Sequence, residues 1–156
     1  MGADLDECAA ARYVFVHSAA AARAADPGHD RRQREKTRKA PLTVIIAMDT
    51  QFYDHLPTPV QGLRRTADVC RQCAAGRRYR LPQQFIAGAY LMLGARSLGL
   101  DCGPMSGFDA AKVDAEFFPD GRWKSNFIVN MGYGLETGGH YPRGPRLPFA
   151  DAAQIL

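Results

Sequence analysis

The sequence offers few of the residue spacings that hold metals. Its four cysteines are Cys8, Cys70, Cys73 and Cys102, and only Cys70 and Cys73 form a C-x-x-C. No second such pair and no H-x(3–5)-H completes a zinc site around them. Nor does a clear strand lead into a helix at that pair, as a thioredoxin-like redox site requires. Reduced thiols and no bound metal are the expectation. No apolar run approaches the roughly 18 consecutive residues of a membrane span. The opening MGADLDEC is acidic and lacks the basic-then-apolar order of a secretory signal. A cytoplasmic protein with no membrane partner is therefore expected. There are no internal repeats, and Ser106 does not stand in a G-x-S-x-G, so it has no nucleophile-elbow context.

What is present suits one globular domain. The 156 residues are 46% hydrophobic and 23% charged, enough for a single core and too short for two. The net charge of +4 is local. Six of the 20 basic residues (Arg64, Arg65, Arg71, Arg77, Arg78 and Arg80) crowd one stretch that holds only Asp68 of the 16 acidic ones; elsewhere 14 basic residues face 15 acidic. Any nucleic-acid surface would have to be that stretch, and Tyr79 is its one stacking platform, so no nucleic-acid partner is expected.

Alternation in Arg12–His17 predicts a strand, followed by a short Ala-rich helix from a Ser18 cap to about Ala25. Arg31–Lys39 is charged and helical in character, and the continuous apolar run Ala40–Met48 predicts a buried strand. Pro57–Leu81 has no usable periodicity and reads as loop. A helix is expected from Pro82 to Leu98, burying a stripe of Ile86, Ala89, Tyr90, Leu93 and Ser97 and ending at Gly99 with Leu100 making a Schellman contact. A second helix starts at an Asp109 cap and runs to Phe117. Pro119-Asp120-Gly121 turns the chain, and Ser125–Gly132 is a second core strand. Strands separated by helices give an α/β or α+β layered sandwich.

Gly103-Pro104-Met105-Ser106-Gly107-Phe108 lies between those two helices. Its glycines let backbone approach a flat ligand, and N–H groups in such a turn can donate to the ligand's acceptor edge. A plain helix-to-helix connection would use the same glycines only to turn.

The run GAYLMLGARSLGLDCGPMSGFDAAKVDAEFFPDGRWKSNFIVNMGYG (residues 88–134) resembles the nitroreductase family, in particular its branch of malonic semialdehyde reductases, or 3-hydroxypropionate dehydrogenases, of pyrimidine degradation. ARYVFVHS, KAPLTVIIAMDTQFYDHLP and the tail YPRGPRLPF match the same branch in the same order. The resemblance implies an α+β fold, a three-layer α/β/α sandwich with a mixed, mostly antiparallel central sheet. It implies a homodimer that binds FMN, takes electrons from NADH or NADPH and passes them to a small-molecule acceptor. It places Pro104, Met105, Ser106 and Gly107 against the isoalloxazine, and Arg143 and Arg146 at the FMN phosphate, where guanidinium forks pair with phosphate oxygens. No acid–base side chain is assigned, because the flavin carries the chemistry; His55 and His140 read as ordinary loop histidines.

Two departures from the family stand out. The chain is expected to be one domain over residues 1–156 without the family's amino-terminal helices, and Glu7 stands where a flavin-contacting asparagine is expected. Residues 58–85 form an atypical Arg/Cys-rich loop, as a pair of compensating frameshifts would leave. The alternative readings are a truncated relative with no functional flavin site and, from another class, a basic nucleic-acid-binding protein.

Overall fold

The apolar run that begins at Ala40 becomes the centre of a sheet. In the computed structural model, which describes residues 10–18, 31–55, 77–135, 142 and 144–155, the strands are β1 (Ala11–Val16), β2 (Leu42–Asp49), β3 (Asp101–Met105) and β4 (Trp123–Gly132), in the order β1-β2-β4-β3. Every pairing among them is antiparallel. Val44, Ile45, Ile46 and Ala47 are completely buried, because both faces of the central strand are covered. Between Ile46 and Ala47 the register to β4 shifts from Phe127 to Ser125, so Asn126 is the extra residue of a bulge.

The helices are α1 (Arg31–Lys39), α2 (Arg77–Ser97), α3 (Ala110–Phe117) and a single C-terminal turn, α4 (Phe149–Ala152). On one face of the sheet, Val113 of α3 and Phe118 pack on Val16, Ile45, Ala47 and Ile128. On the other, Ala95, Leu91 and Met92 of α2 pack on Val44, Ile46, Phe127 and Val129. Helix, sheet and helix make three layers, as expected. The solved structures described below share the fold.

Two expectations about α2 are corrected. The helix begins at Arg77, so it absorbs the last nine residues of the presumed 58–85 loop, and Pro82 lies in its second turn rather than its first. The stripe expected to be buried faces outward instead: Ile86 is 57% exposed, Tyr90 72% and Leu93 65%, with Ala89 and Ser97 also exposed. The buried side carries Gln84, Gly88 and Ala95. Small residues win there because they allow close approach: a Cβ at Gly88 would run into the Phe127 ring. Gln84 is 1% exposed, and neither atom of its amide has a hydrogen-bond partner among the described residues.

The helix ends are as expected. Leu100 N–H donates to Ala95 O at 3.0 Å and Gly99 N–H to Arg96 O at 3.0 Å, the two bonds of a Schellman motif, with Gly99 at φ 83°. Leu100 packs on the α2 side of the sheet. Gly121, at φ 71°, turns the chain into β4. The helix expected after Ser18, the Cys70–Cys73 pair, Glu7, Arg64, Arg65 and Arg71 lie outside the described residues. No helix among the described residues is long and apolar enough to cross a membrane.

Candidate functional site

The loop expected between two helices is partly a strand. Asp101–Met105 forms β3, the edge of the sheet, with Gly103 opposite Asn130, Pro104 opposite Val129 and Met105 opposite Ile128. Glycine and proline disguise it in the sequence, yet an edge strand accepts a proline, since one of its sides has no neighbour to bond. Gly103, Pro104, Ser106 and Gly107 are exposed, while the Met105 side chain packs against the α3-side core. A Cβ built at Gly107 meets nothing within 4 Å, so the space beside its backbone is open.

The turn is held at both ends. Phe108 N–H donates to Ser106 O at 3.1 Å. Asp109 caps α3, accepting from Lys112 N–H at 3.3 Å, and Lys112 Nζ stands 3.2 Å from its other oxygen. The Lys112 hydrogen bonds hold the Asp109 carboxyl below its ordinary pKa, so the cap stays charged at neutral pH. A fixed, exposed stretch of main chain between an edge strand and a capped helix can present N–H donors to a flat acceptor-rich ligand without reorganising.

Sequence reasoning did not find the polar side chains behind this turn. Asn130 is the polar residue in the apolar run of β4. It accepts from Thr43 Oγ1 at 2.9 Å, donates to Thr37 Oγ1 at 3.1 Å and reaches Met105 Sδ at 4.0 Å. Thr37 and Thr43 are completely buried. An asparagine inside FIVNM was the one available signal. A second cluster centres on Asp49, also fully buried. Its carboxylate accepts from Arg12 at 2.7 Å, from Arg122 at 3.1 and 3.3 Å, and from Gln51 N–H at 2.9 Å. Burial alone would raise the Asp49 pKa; the Arg122 and Gln51 hydrogen bonds and the two guanidinium charges outweigh it and hold the carboxyl below its usual range.

The other expected residues are less assembled. Arg146 is exposed, and its Nη1 donates to the carbonyls of Gly144 at 3.0 Å and Pro145 at 3.5 Å; no hydrogen bond joins it to Pro104–Gly107. Arg143 and His140 lie outside the described residues, and His55 ends a 3-10 turn over Phe52–His55. Cys102 is a free thiol whose Sγ donates to Met92 O at 3.8 Å. Burial raises its pKa, with Arg96 opposing and Asp101 adding, so it is not a ready thiolate. Among the described residues no three His, Cys, Asp or Glu side chains gather as a metal site.

Known proteins similar to this chain in sequence or in fold are consistent with one another. A Ralstonia nicotianae protein named "Putative NADH dehydrogenase/NAD(P)H nitroreductase" is 51% identical over 150 residues, spanning 94% of this chain and 74% of that protein. A Polynucleobacter asymbioticus protein of the same name is 46% identical over 153 residues, 96% of this chain and 76% of its own. A nitroreductase family protein from Streptococcus pneumoniae superposes with a TM-score of 0.77 at 16% identity, covering 97% of this chain and 81% of that one. An Exiguobacterium sibiricum structure, a "putative nitroreductase in complex with FMN", superposes at 0.76 with 17% identity over 97% of this chain and 79% of its own. The profile described as "Nitroreductase family" matches residues 5–133, and the chain belongs to the nitroreductase family.

Proposed function

We propose that this chain is an FMN-dependent NAD(P)H oxidoreductase that reduces malonic semialdehyde to 3-hydroxypropionate in the cytoplasm, working as a homodimer. The observation that carries the reading is the exposed Pro104–Gly107 turn at the sheet edge, with open space at Gly107. Family membership makes FMN the natural occupant of that geometry and NAD(P)H the natural electron donor. When bound, FMN supplies the redox chemistry, taking a hydride from NAD(P)H and passing the electrons to an acceptor. The chain's part is to hold the ring by main-chain donors at Met105–Gly107, with Arg143 and Arg146 meeting the phosphate. The Arg146 guanidinium can leave its two neighbouring carbonyls for a dianion, because both bonds are exposed and local.

The acceptor rests on the likeness of residues 88–134 to the malonic semialdehyde branch. The homodimer is supported by the outward stripe of Ile86, Tyr90 and Leu93, a row of large apolar side chains that water disfavours. The self-engaged Arg146 favours a second reading, a family member in which no working flavin site forms.

The visible spectrum of the purified chain, after adding FMN and desalting, separates the two. Retained flavin bands that bleach with NADH or NADPH, followed by oxidation with malonic semialdehyde, are the expected result. A colourless protein would establish the second reading, and a bound flavin indifferent to malonic semialdehyde would remove that substrate alone.

A further inference from the structure

Asn130 touches four elements at once. Its own strand is β4; Thr43 belongs to β2, Thr37 to α1, and Met105 is the last residue of β3. Both amide atoms are used, the oxygen toward Thr43 and the nitrogen toward Thr37 and Met105. The two threonines are sealed from solvent on the face of the sheet that otherwise holds Ile45 and Ile128. A satisfied polar cluster in apolar surroundings has few alternative arrangements, because any shift leaves a buried donor or acceptor unpaired. Met105 is the last residue before the exposed part of the turn: Ser106 and Gly107, which follow it, are exposed.

We infer that Asn130 is a positioning residue for the cofactor turn: it fixes Met105 from behind and so sets where the Pro104–Gly107 main chain stands. Asn130 itself does not touch the ligand in this assignment. Thr37 extends the same hold to α1, so the turn is referenced to α1, β2 and β4 rather than to the edge strand alone. Part of the inference, that Asn130 orders the turn, stands on these contacts; its consequence for FMN rests on the reading given under Proposed function.

The test compares Asn130→Leu, similar in shape and without either polar atom, with Ser125→Ala. The latter removes a hydroxyl that donates to Asp114 at 2.7 Å elsewhere on β4, and so reports a general loss of stability. Amide hydrogen exchange of the protein without added flavin is read across Gly103–Phe108, normalised to the urea midpoint of each variant. The expected result is faster exchange at Met105–Phe108 in Asn130→Leu, by about tenfold over Ser125→Ala at matched stability. With FMN, Asn130→Leu is expected to raise the dissociation constant about tenfold and to shift the flavin reduction potential, while Ser125→Ala moves neither. Combining it with Met105→Leu should add little further loss, as for two changes in one linkage. Equal exchange in both variants overturns the proposal whether or not flavin binds. Faster exchange in Asn130→Leu with an unchanged potential and affinity overturns the cofactor half. A wild-type chain that takes up no FMN would sink the cofactor reading, and the exchange comparison would still decide the role of Asn130.

Discussion

Asp49 shows how one residue can bind three parts of the chain. Its carboxylate is sealed at the end of β2 and is met by Arg12 from β1, by Arg122 from the turn before β4 and by the Gln51 amide. Arg12 also lies over the Trp123 ring, 6.0 Å from its centroid. Replacing Asp49 by Asn keeps the shape and leaves two cations facing a neutral amide. Both arginines retain contact with water, so the cost is expected between that of an exposed pair and the roughly 3–5 kcal/mol of a fully buried one, about 2 kcal/mol. The pH dependence has a fixed sign. Because the folded pKa is lowered, the stabilisation is fully present above the unfolded carboxylate pKa of about 4 and is lost as pH falls through the lower folded value. Urea unfolding of the wild type and Asp49→Asn should therefore differ at pH 7 and converge in strong acid. A gap that persisted undiminished there would show that the charge of Asp49 is not what stabilises the fold.

At the scale of elements, α2 carries the sharpest contrast between two glycines. Gly88 faces Phe127, whose ring is stacked on Phe85 with centroids 5.7 Å apart, while nothing lies within 4 Å of a Cβ built at Gly94. Both sites gain about 1 kcal/mol of helix propensity from alanine. At Gly88 that gain is opposed by overpacking of about 1–3 kcal/mol, since the ring cannot retreat from the sheet. Gly94→Ala is expected to stabilise the protein and Gly88→Ala to destabilise it, read from urea midpoints; the same sign for both would mean α2 does not seat on Phe127 as described. This geometry also explains what could be read in the sequence. β2 was legible because Val44–Ala47 is apolar without interruption, and α3 because Asp109 announces its cap. The inward face of α2 was not, because its most buried positions are Gln84, Gly88 and Ala95, while the large apolar Ile86, Tyr90 and Leu93 point out. β3 was hidden by Gly103 and Pro104. Of the candidate site, Pro104–Gly107 was legible because it is contiguous; the hold on it from Asn130 was not, because Thr37 and Asn130 are 93 residues apart.

For the whole molecule, the outward stripe on α2 is a feature that the described residues of a single chain leave unexplained. Ile86, Tyr90 and Leu93 recur at helical spacing and are each more than half exposed, whereas isolated exposed apolar residues need no account. A helix face of this kind meets its own copy readily, since a twofold axis brings identical stripes together. Burying one such side chain fully is worth about 1.5–3 kcal/mol, and twofold symmetry counts each substitution twice. Leu93→Asp also sets two carboxylates near the axis, where they repel and lose hydration. The wild type is expected to sediment as a dimer, and Leu93→Asp as a monomer with unchanged far-ultraviolet circular dichroism, since Leu93 is 65% exposed and lies outside the core on the α2 side of the sheet. Dimers that persist in Leu93→Asp would place the interface elsewhere. A monomeric wild type would mean that this stripe meets something other than a second copy. If the flavin site needs the dimer, Leu93→Asp will also lose FMN although it lies outside the Pro104–Gly107 turn; retention of FMN by the monomer would show that one chain holds the cofactor alone.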